Sequence, residues 1–129
     1  MEASETLVIL DFGSQYTQLI ARRARELGVF SLIFPHSASL KEIKMHNPKG
    51  LILSGGPNSV YEKGAPRFDK KLLDLNLPIL GICYGLQLLA LHFDGQVERS
   101  LIREYGLAKL QKKSSSLLLP DRLNDSPVW

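Results

Sequence analysis

The chain contains one cysteine, and the residues around it have the pattern of a nucleophilic turn. Cys83 is the centre of G-I-C-Y-G at residues 81–85, the cysteine form of a nucleophile elbow. Such a turn forces strained backbone angles on the nucleophile, and flanking glycines relieve the crowding around it. A helix that follows the turn would place its N-terminal amides beside the sulfur and favour the thiolate. The pattern therefore predicts Cys83 as a nucleophile, although a lone cysteine is more often a buried structural residue.

A glycine pair, Gly55-Gly56, follows another apolar run and precedes Pro57. Glycines let backbone N–H groups approach a ligand oxygen closely, so the pair could supply one arm of an oxyanion hole. We predict that the N–H of Tyr84 supplies the other arm. The alternative is a tight turn in which the glycines serve only backbone geometry.

The same stretch, residues 54–59, also resembles the S-G-G-x-D-S loop of ATP pyrophosphatases, which binds pyrophosphate on backbone amides. Asn58 stands where that loop has an acidic residue, and Pro57 has no amide hydrogen to donate. A phosphate loop should also follow the first strand of its domain, whereas this one follows the third predicted strand. The sequence therefore favours the oxyanion interpretation over ATP binding.

A cysteine nucleophile needs a histidine as base and a carboxylate that orients the histidine. His92 follows Cys83 by nine residues on one predicted helix, which separates them by about 13 Å along the axis. His46 ends the second predicted helix and is expected to be solvated. His36 follows the second predicted strand, at the correct edge of the sheet, but no H-x-E pattern surrounds it. We predict none of the three as the catalytic base.

Four short apolar runs separated by helical segments would position these groups. The runs cover residues 7–10, 29–34, 50–53 and 78–82, and the helical segments cover 14–27, a short stretch after 39, 68–75 and 86–93. Continuous apolar runs of this length are typical of strands that are covered on both faces. The alternation predicts an α/β fold with a three-layer, mostly parallel sheet and helices on both faces. The ends of the third and fourth strands, with Gly55 and Cys83, should meet at one edge.

From Gln96 onward the sequence pattern changes. Residues 97–101 and 104–110 are typical of strands, residues 112–116 are typical of a loop, and residues 128–129 begin another strand. We therefore predict one partial domain over 1–129, incomplete at its C-terminus. It would consist of core β/α units over 6–95 and a strand-rich extension over 96–129.

Composition narrows the class of protein further. With 44% hydrophobic and 22% charged residues, the chain can bury a core and is not a disordered tail. The net charge of +3 comes from scattered lysines and arginines, so we expect no nucleic-acid partner. The first apolar run is too short to cross a membrane, and the acidic N-terminus is unlike a signal peptide. One cysteine allows no intrachain disulfide, so a cytoplasmic protein is expected.

Four motifs, in order along the chain, resemble the flavodoxin-like class I glutamine amidotransferase domain of the GMP synthase family. They are L-D-F-G-S-Q-Y at 10–16, S-G-G-P at 54–57, G-I-C-Y-G-L-Q at 81–87 and R-E-Y-G at 103–106. The elbow is shared by all class I amidotransferases, whereas the first and last motifs point to GMP synthases. The resemblance covers about residues 6–110, which is most of the chain.

The resemblance implies that Cys83 attacks the side-chain amide of glutamine, forms a γ-glutamyl thioester and releases ammonia, after which water releases glutamate. Gly56 and Tyr84 match the oxyanion positions of the family, and Gly55 and Gln87 match positions at the glutamine pocket. The family takes its histidine and glutamate from a later H-x-E motif, which does not occur in this chain. We therefore expect the isolated chain to be inactive.

The resemblance also implies partners. The ammonia would pass to an ATP pyrophosphatase domain or subunit, which aminates adenylated XMP to GMP. ATP and Mg²⁺ are expected there, no cofactor or metal is expected in this chain, and the full-length protein is expected to be a homodimer. The alternatives are another class I amidotransferase, a DJ-1/PfpI-type cysteine protein with a carboxylate close to the elbow, or a non-catalytic docking module.

Overall fold

The four apolar runs form the strands of one parallel sheet. A computed structural model describes residues 5–98 and 106–128 of the chain. The strands are β1 (Thr6–Asp11), β2 (Phe30–Pro35), β3 (Gly50–Leu53) and β4 (Ile79–Gly81). Their order is β2-β1-β3-β4, and every neighbouring pair is parallel. This is the beginning of the strand order of flavodoxin-like sheets, so the predicted fold class is confirmed.

Four helical segments connect and cover these strands. They are α1 (Thr17–Glu26), α2 (Leu40–Lys44), a 3₁₀ helix (Lys70–Leu75) and α3 (Tyr84–His92). Ala21 of α1 packs with Ile9 and Ile52 on one face of the sheet. On the other face, the remaining helices bury Ile43, Leu72 and Leu88 against strand residues such as Val8 and Leu51. Alternate residues of the strands therefore supply two cores, and the sheet is the middle of three layers.

The connection between β3 and β4 is a 3₁₀ helix rather than an α-helix. Asp69 begins it by accepting hydrogen bonds from the N–H groups of Lys71 (3.0 Å) and Leu40 (3.1 Å). These bonds, the one from Lys71 first, hold the pKa of the Asp69 carboxyl below its ordinary value. Asn76, in the left-handed conformation with φ of 55°, ends the helix. The six residues between them form a 3₁₀ helix, which is common in short connecting segments.

Helix α1 begins at Thr17, whereas the sequence predicted a start at Ser14. The Ser14 hydroxyl accepts a hydrogen bond from Tyr16 N–H (3.0 Å), and the Asp11 carboxylate accepts one from Gly13 N–H (2.8 Å). Such local bonds compete with helical ones and hold the preceding residues in a turn. Within the described parts of the chain, no helix is long and apolar enough to cross a bilayer.

The chain divides into two units, Met1–Val97 and Glu98–Trp129. The second contains a two-stranded antiparallel ladder of β5 (Ala108–Lys109) and β6 (Pro127–Val128). A short 3₁₀ helix, Asp121–Leu123, lies between these strands. Most of the strand predicted over 97–101 and the start of the one predicted over 104–110 lie outside the described residues.

Candidate active site

The turn between β4 and α3 has the backbone of a nucleophile elbow. Cys83 has φ of 51° and ψ of −111°, a conformation that is unfavourable for any residue with a Cβ. The turn is closed by hydrogen bonds from Gly85 N–H to the Ile82 carbonyl (3.0 Å) and from Gln87 N–H to the Cys83 carbonyl (3.1 Å). Cys83 is exposed. The thiol therefore lies at the surface on a strained turn. A structural cysteine would be buried and would need no such strain.

The two glycines of the elbow allow α3 to pack directly on the sheet. A Cβ added at Gly85 would lie 2.2 Å from the Leu53 carbonyl oxygen, and one at Gly81 would lie 2.7 Å from the Leu86 nitrogen. Both distances are shorter than real Cβ contacts, so neither position accepts a side chain without movement of the backbone. The G-x-C-x-G spacing therefore has a steric cause in this fold.

The glycine pair after β3 lies against the elbow. A Cβ at Gly55 would lie 3.3 Å from the Cys83 Cβ, whereas one at Gly56 would lie 2.3 Å from the Phe12 carbonyl oxygen. Gly55 therefore faces the cysteine and Gly56 packs under the loop that follows β1. Three loops, which follow β1, β3 and β4, meet at the carboxyl edge of the sheet, where open α/β folds bind their ligands.

These loops enclose an open pocket of about 400 Å³. Its lining residues come from all three loops and are Gly13, Ser14, Gln15, Tyr16, Gly55, Gly56, Pro57 and Cys83. Tyr84 and Gln87 are not among them. The loop at residues 13–16 was not predicted as a pocket wall, although its position after the first parallel strand was a signal for it.

The pocket has backbone donors available beside the cysteine. No backbone carbonyl of the described residues accepts a hydrogen bond from the N–H of Gly56 or Tyr84. The Tyr84 N–H belongs to the first turn of α3, where amides have no partner within the helix. Such amides can stabilise a negative oxygen that forms next to the sulfur.

A buried hydroxyl pair lies directly behind the glycine pair. Ser54 is fully buried and Thr17 is 2% exposed. Their hydroxyl oxygens are 3.2 Å apart, and Thr17 Oγ1 also lies 3.3 Å from a carboxylate oxygen of Asp11. No role was predicted for these residues from the sequence. A serine directly after a fully buried strand was the available signal.

None of the three histidines lines the pocket with Cys83. The His36 ring stacks on Phe12 at 5.6 Å between centroids, and its Nδ1 lies 3.0 Å from the Arg67 carbonyl oxygen. His46 contacts the ring of Phe34. His92 contacts Phe93 on its own helix.

Two donors of the loop at 54–59 are already occupied within the chain. The Ser59 N–H and the Asn58 side-chain amide both donate to the Glu62 carboxylate, each at 3.0 Å. These bonds, the one from Asn58 first, hold the pKa of Glu62 below its ordinary value. A loop whose donors already bind a carboxylate of the same chain is not prepared to bind pyrophosphate.

The side chain of Tyr84 is buried and fixes the start of α3 by hydrogen bonds. It is 2% exposed, and its hydroxyl donates to the Pro66 carbonyl at 2.6 Å and accepts from the Arg67 guanidinium at 3.1 Å. The ring also contacts Phe12, with 5.5 Å between centroids. The side chain of Tyr84 therefore belongs to the core and holds the first turn of α3 in place.

Tyr84→Phe is expected to lower stability and leave the pocket donors in place. Loss of the hydroxyl leaves the Pro66 carbonyl without this partner, which costs about 1–2 kcal/mol of unfolding free energy. Chemical denaturation of both proteins measures this difference, and the rate of Cys83 alkylation by iodoacetamide checks the elbow. If the alkylation rate of Cys83 changed more than a few-fold, the Tyr84 hydroxyl would affect the elbow as well as the stability of the fold.

A flavodoxin-like sheet with an exposed cysteine on a strand-to-helix elbow defines an α/β protein of the nucleophile-elbow class. The chain belongs to the class-I glutamine amidotransferase family, whose family model matches residues 8–126. The predicted resemblance to this family is confirmed.

Within this family, the chain is similar to curated GMP synthases and to one solved structure. The chain is 54% identical over 125 residues to a GMP synthase [glutamine-hydrolyzing] of Bacillus mycoides, covering 97% of this chain and 24% of the relative. It is 51% identical over 129 residues to the Oceanobacillus iheyensis GMP synthase, covering 100% and 25%. A crystal structure of a candidate GMP synthase subunit from Thermoplasma acidophilum superposes with a TM-score of 0.80 at 31% identity, over 100% of this chain and 65% of that one. The chain thus spans about a quarter of the length of these curated relatives.

Proposed function

We propose that this chain is the glutamine-binding part of a glutaminase that supplies ammonia to a GMP synthase. The observation that carries the proposal is the exposed Cys83 on its strained elbow, directly against the glycine pair in an open pocket. Membership of the class-I glutamine amidotransferase family and the identity to two GMP synthases support glutamine as the substrate.

In the proposed reaction the Cys83 sulfur attacks the side-chain amide carbon of glutamine. A C–S bond forms, and the carbonyl electron pair moves to the oxygen, where the N–H groups of Gly56 and Tyr84 stabilise it. The oxyanion collapses, the C–N bond breaks, and the protonated nitrogen leaves as ammonia. Water then cleaves the γ-glutamyl thioester and releases glutamate. Gly55 and Gln87 are proposed to contact the bound glutamine.

Both steps require a group that transfers protons. No histidine of the described residues lines the pocket with Cys83. We therefore assign the base and its orienting carboxylate to another part of the full-length protein. The 129 residues alone are expected to be alkylated on Cys83 by an electrophilic glutamine analogue but not to release ammonia in steady turnover.

The rest of the proposed function belongs to the full-length protein. Ammonia would pass to an ATP pyrophosphatase domain or subunit, which binds ATP and Mg²⁺ and converts XMP to GMP. The Thermoplasma acidophilum protein is described as one subunit, whereas the curated relatives are about four times as long as this chain, so the acceptor of ammonia is either a subunit or a domain. We assign no ATP to this chain, because the donors of its phosphate-like loop bind Glu62. A cytoplasmic homodimer remains our expectation for the whole enzyme.

One observation counts against a DJ-1/PfpI-type function. Such a protein would place a carboxylate close to the elbow cysteine, and the described lining of the pocket contains neither aspartate nor glutamate. The nearest acidic group in sequence to the pocket loops, Asp11, binds Gly13 N–H instead. A glutaminase site therefore fits the pocket better.

Covalent capture of an electrophilic glutamine analogue, a chloroketone that replaces the side-chain amide, tests the proposal. We expect a single adduct on Cys83 by peptide mass mapping, and we expect excess glutamine to slow its formation where asparagine does not. Iodoacetamide, which needs only an accessible thiol, is the control that reports the accessibility of Cys83 in the absence of glutamine. Mapping of the adduct to another residue, or equal protection by asparagine, would overturn the assignment. Steady ammonia release from glutamine would contradict the assignment of the base to another part of the protein.

A further inference from the structure

We propose that Ser54 is a positioning residue, whose buried hydroxyl orients the Gly55–Gly56 peptide so that the Gly56 N–H faces the pocket. The inference rests on the proposed function, since it concerns the oxyanion hole of that reaction. Ser54 follows β3 directly and is fully buried. Its hydroxyl lies 3.2 Å from the carbonyl oxygen of Gly55.

The proton of Ser54 has two acceptors within reach, the Gly55 carbonyl oxygen and the Thr17 hydroxyl oxygen, each at 3.2 Å. A hydroxyl carries one proton and two lone pairs. The Phe12 N–H donates to Ser54 Oγ at 3.2 Å, and the Thr17 hydroxyl lies at 3.2 Å, so these neighbours can take up the lone pairs. Thr17 has Ser54 and the charged Asp11 carboxylate as acceptors for its own proton. When Thr17 donates to Ser54, the Ser54 proton goes to the Gly55 carbonyl, and this is the arrangement that we assign.

The hydrogen bond to this carbonyl fixes the N–H of the next residue. The Gly55 carbonyl and the Gly56 N–H belong to one planar trans peptide, in which the two groups point in opposite directions. Because the carbonyl points to the buried hydroxyl, the N–H points away from the core, and both glycines line the pocket. A donor on the carbonyl also polarises the peptide and strengthens its N–H as a donor.

An anchor is needed here because two successive glycines allow the peptide between them to rotate. Glycine populates positive and negative φ about equally, so neither residue selects one orientation of the peptide. The second restraint comes from Phe12, whose carbonyl oxygen would lie 2.3 Å from a Cβ at Gly56. Since the Phe12 N–H itself donates to Ser54, the one hydroxyl holds both the glycine pair and the loop that packs on it.

Ser54→Ala and Thr17→Val form a matched pair of variants for the test. Each removes one hydroxyl of the same buried network, but only Ser54→Ala removes the bond to the Gly55 carbonyl. The readout is the alkylation rate of Cys83 by the chloroketone analogue divided by its rate with iodoacetamide. The thiolate can add to the ketone of the chloroketone and give an oxyanion that these donors stabilise, whereas iodoacetamide reacts by direct displacement of iodide. Removal of an oxyanion donor lowers rates by about 10²–10³, so a misdirected donor in Ser54→Ala is expected to lower the ratio by about tenfold or more.

Thr17→Val is expected to keep this rate ratio within about twofold of the wild type, since it leaves the Ser54 bond in place. Ser54→Thr, which retains a hydroxyl, is expected to restore most of the ratio. An unchanged ratio in Ser54→Ala would overturn the proposal. An equal fall in Thr17→Val would also overturn it, because the network would then act only through stability.

Amide NMR of Gly56 in the folded variants separates this inference from the proposed function. We expect the Gly56 N–H resonance to move in Ser54→Ala. In Ser54→Thr it should keep its wild-type position, and in Thr17→Val it should change little. If the Gly56 resonance moves in Ser54→Ala but glutamine does not protect the wild type from labelling, the positioning role is supported. The same result counts against glutaminase chemistry. An unmoved resonance in a folded Ser54→Ala protein would overturn the positioning role alone.

Discussion

Gly85→Ala is expected to destabilise the fold by about 3 kcal/mol or more, the upper end of the cost of inserting an atom into a packed interior. The added Cβ would lie 2.2 Å from the carbonyl oxygen and 2.6 Å from the Cβ of Leu53. Leu53 is 1% exposed and lies in the middle of the sheet, so neither atom can move without displacing β3. Helix α3 would have to move away from the sheet, and the elbow would move with it.

The measurement is chemical denaturation of the wild type, Gly85→Ala and Gly64→Ala. Gly64 is the matched control, because it has φ of 76° but no atom within 4 Å of an added Cβ. Its substitution introduces backbone strain without a clash and should cost about 1 kcal/mol. If both variants lost the same free energy, the close packing of α3 on β3 would not be the reason for the second elbow glycine.

The sheet could be predicted from sequence because the signals for it are local. Each run, such as residues 7–10 or 50–53, is apolar throughout, and this pattern over such short lengths is typical of strands that are covered on both faces. The elbow could be predicted for the same reason, since Gly81 and Gly85 lie beside the cysteine in the chain. Their steric partners, Leu86 and Leu53, are recognisable only once α3 has been placed on the sheet.

The pocket wall and the hydroxyl network depend on contacts between distant residues. Ser54 binds Phe12 and Thr17 across 42 and 37 positions of the chain, and no local periodicity reports such pairs. The start of α1 was placed too early for a related reason, because the Asp11 and Ser14 side chains satisfy nearby backbone N–H groups and delay the helix.

Some residue positions at the site could be predicted from local sequence, and others depend on contacts between distant residues. Gly55 and Cys83 could be brought together on the rule that neighbouring parallel strands end at one edge. His36 follows β2 at that edge too, but its ring stacks on Phe12 and faces the Arg67 carbonyl. Gln87 donates its N–H to the Cys83 carbonyl, and its contact with glutamine stays a prediction.

Cys83→Ala and Cys83→Gly are both expected to abolish the glutamine-protected adduct, since the only cysteine of the chain is lost. They are expected to differ in stability. Cys83 has φ of 51° and ψ of −111°, which alanine must also adopt and which glycine reaches without a Cβ clash. Backbone strain of this kind costs about 1–3 kcal/mol, so Cys83→Gly should be the more stable variant by a similar amount.

Because Cys83 is exposed, loss of its sulfur should cost little packing, and the comparison isolates the backbone. Chemical denaturation of the two variants measures the difference, and mass mapping checks that neither reacts with the analogue. Gly55→Ala is the control for crowding at the elbow. Its added Cβ would lie 3.3 Å from the Cys83 Cβ, but Gly55 itself does not have a positive φ. Equal stabilities of the alanine and glycine variants would mean that the elbow relaxes when the thiol is removed. A more stable glycine variant would mean that the fold itself imposes the strain that holds the thiol in the pocket.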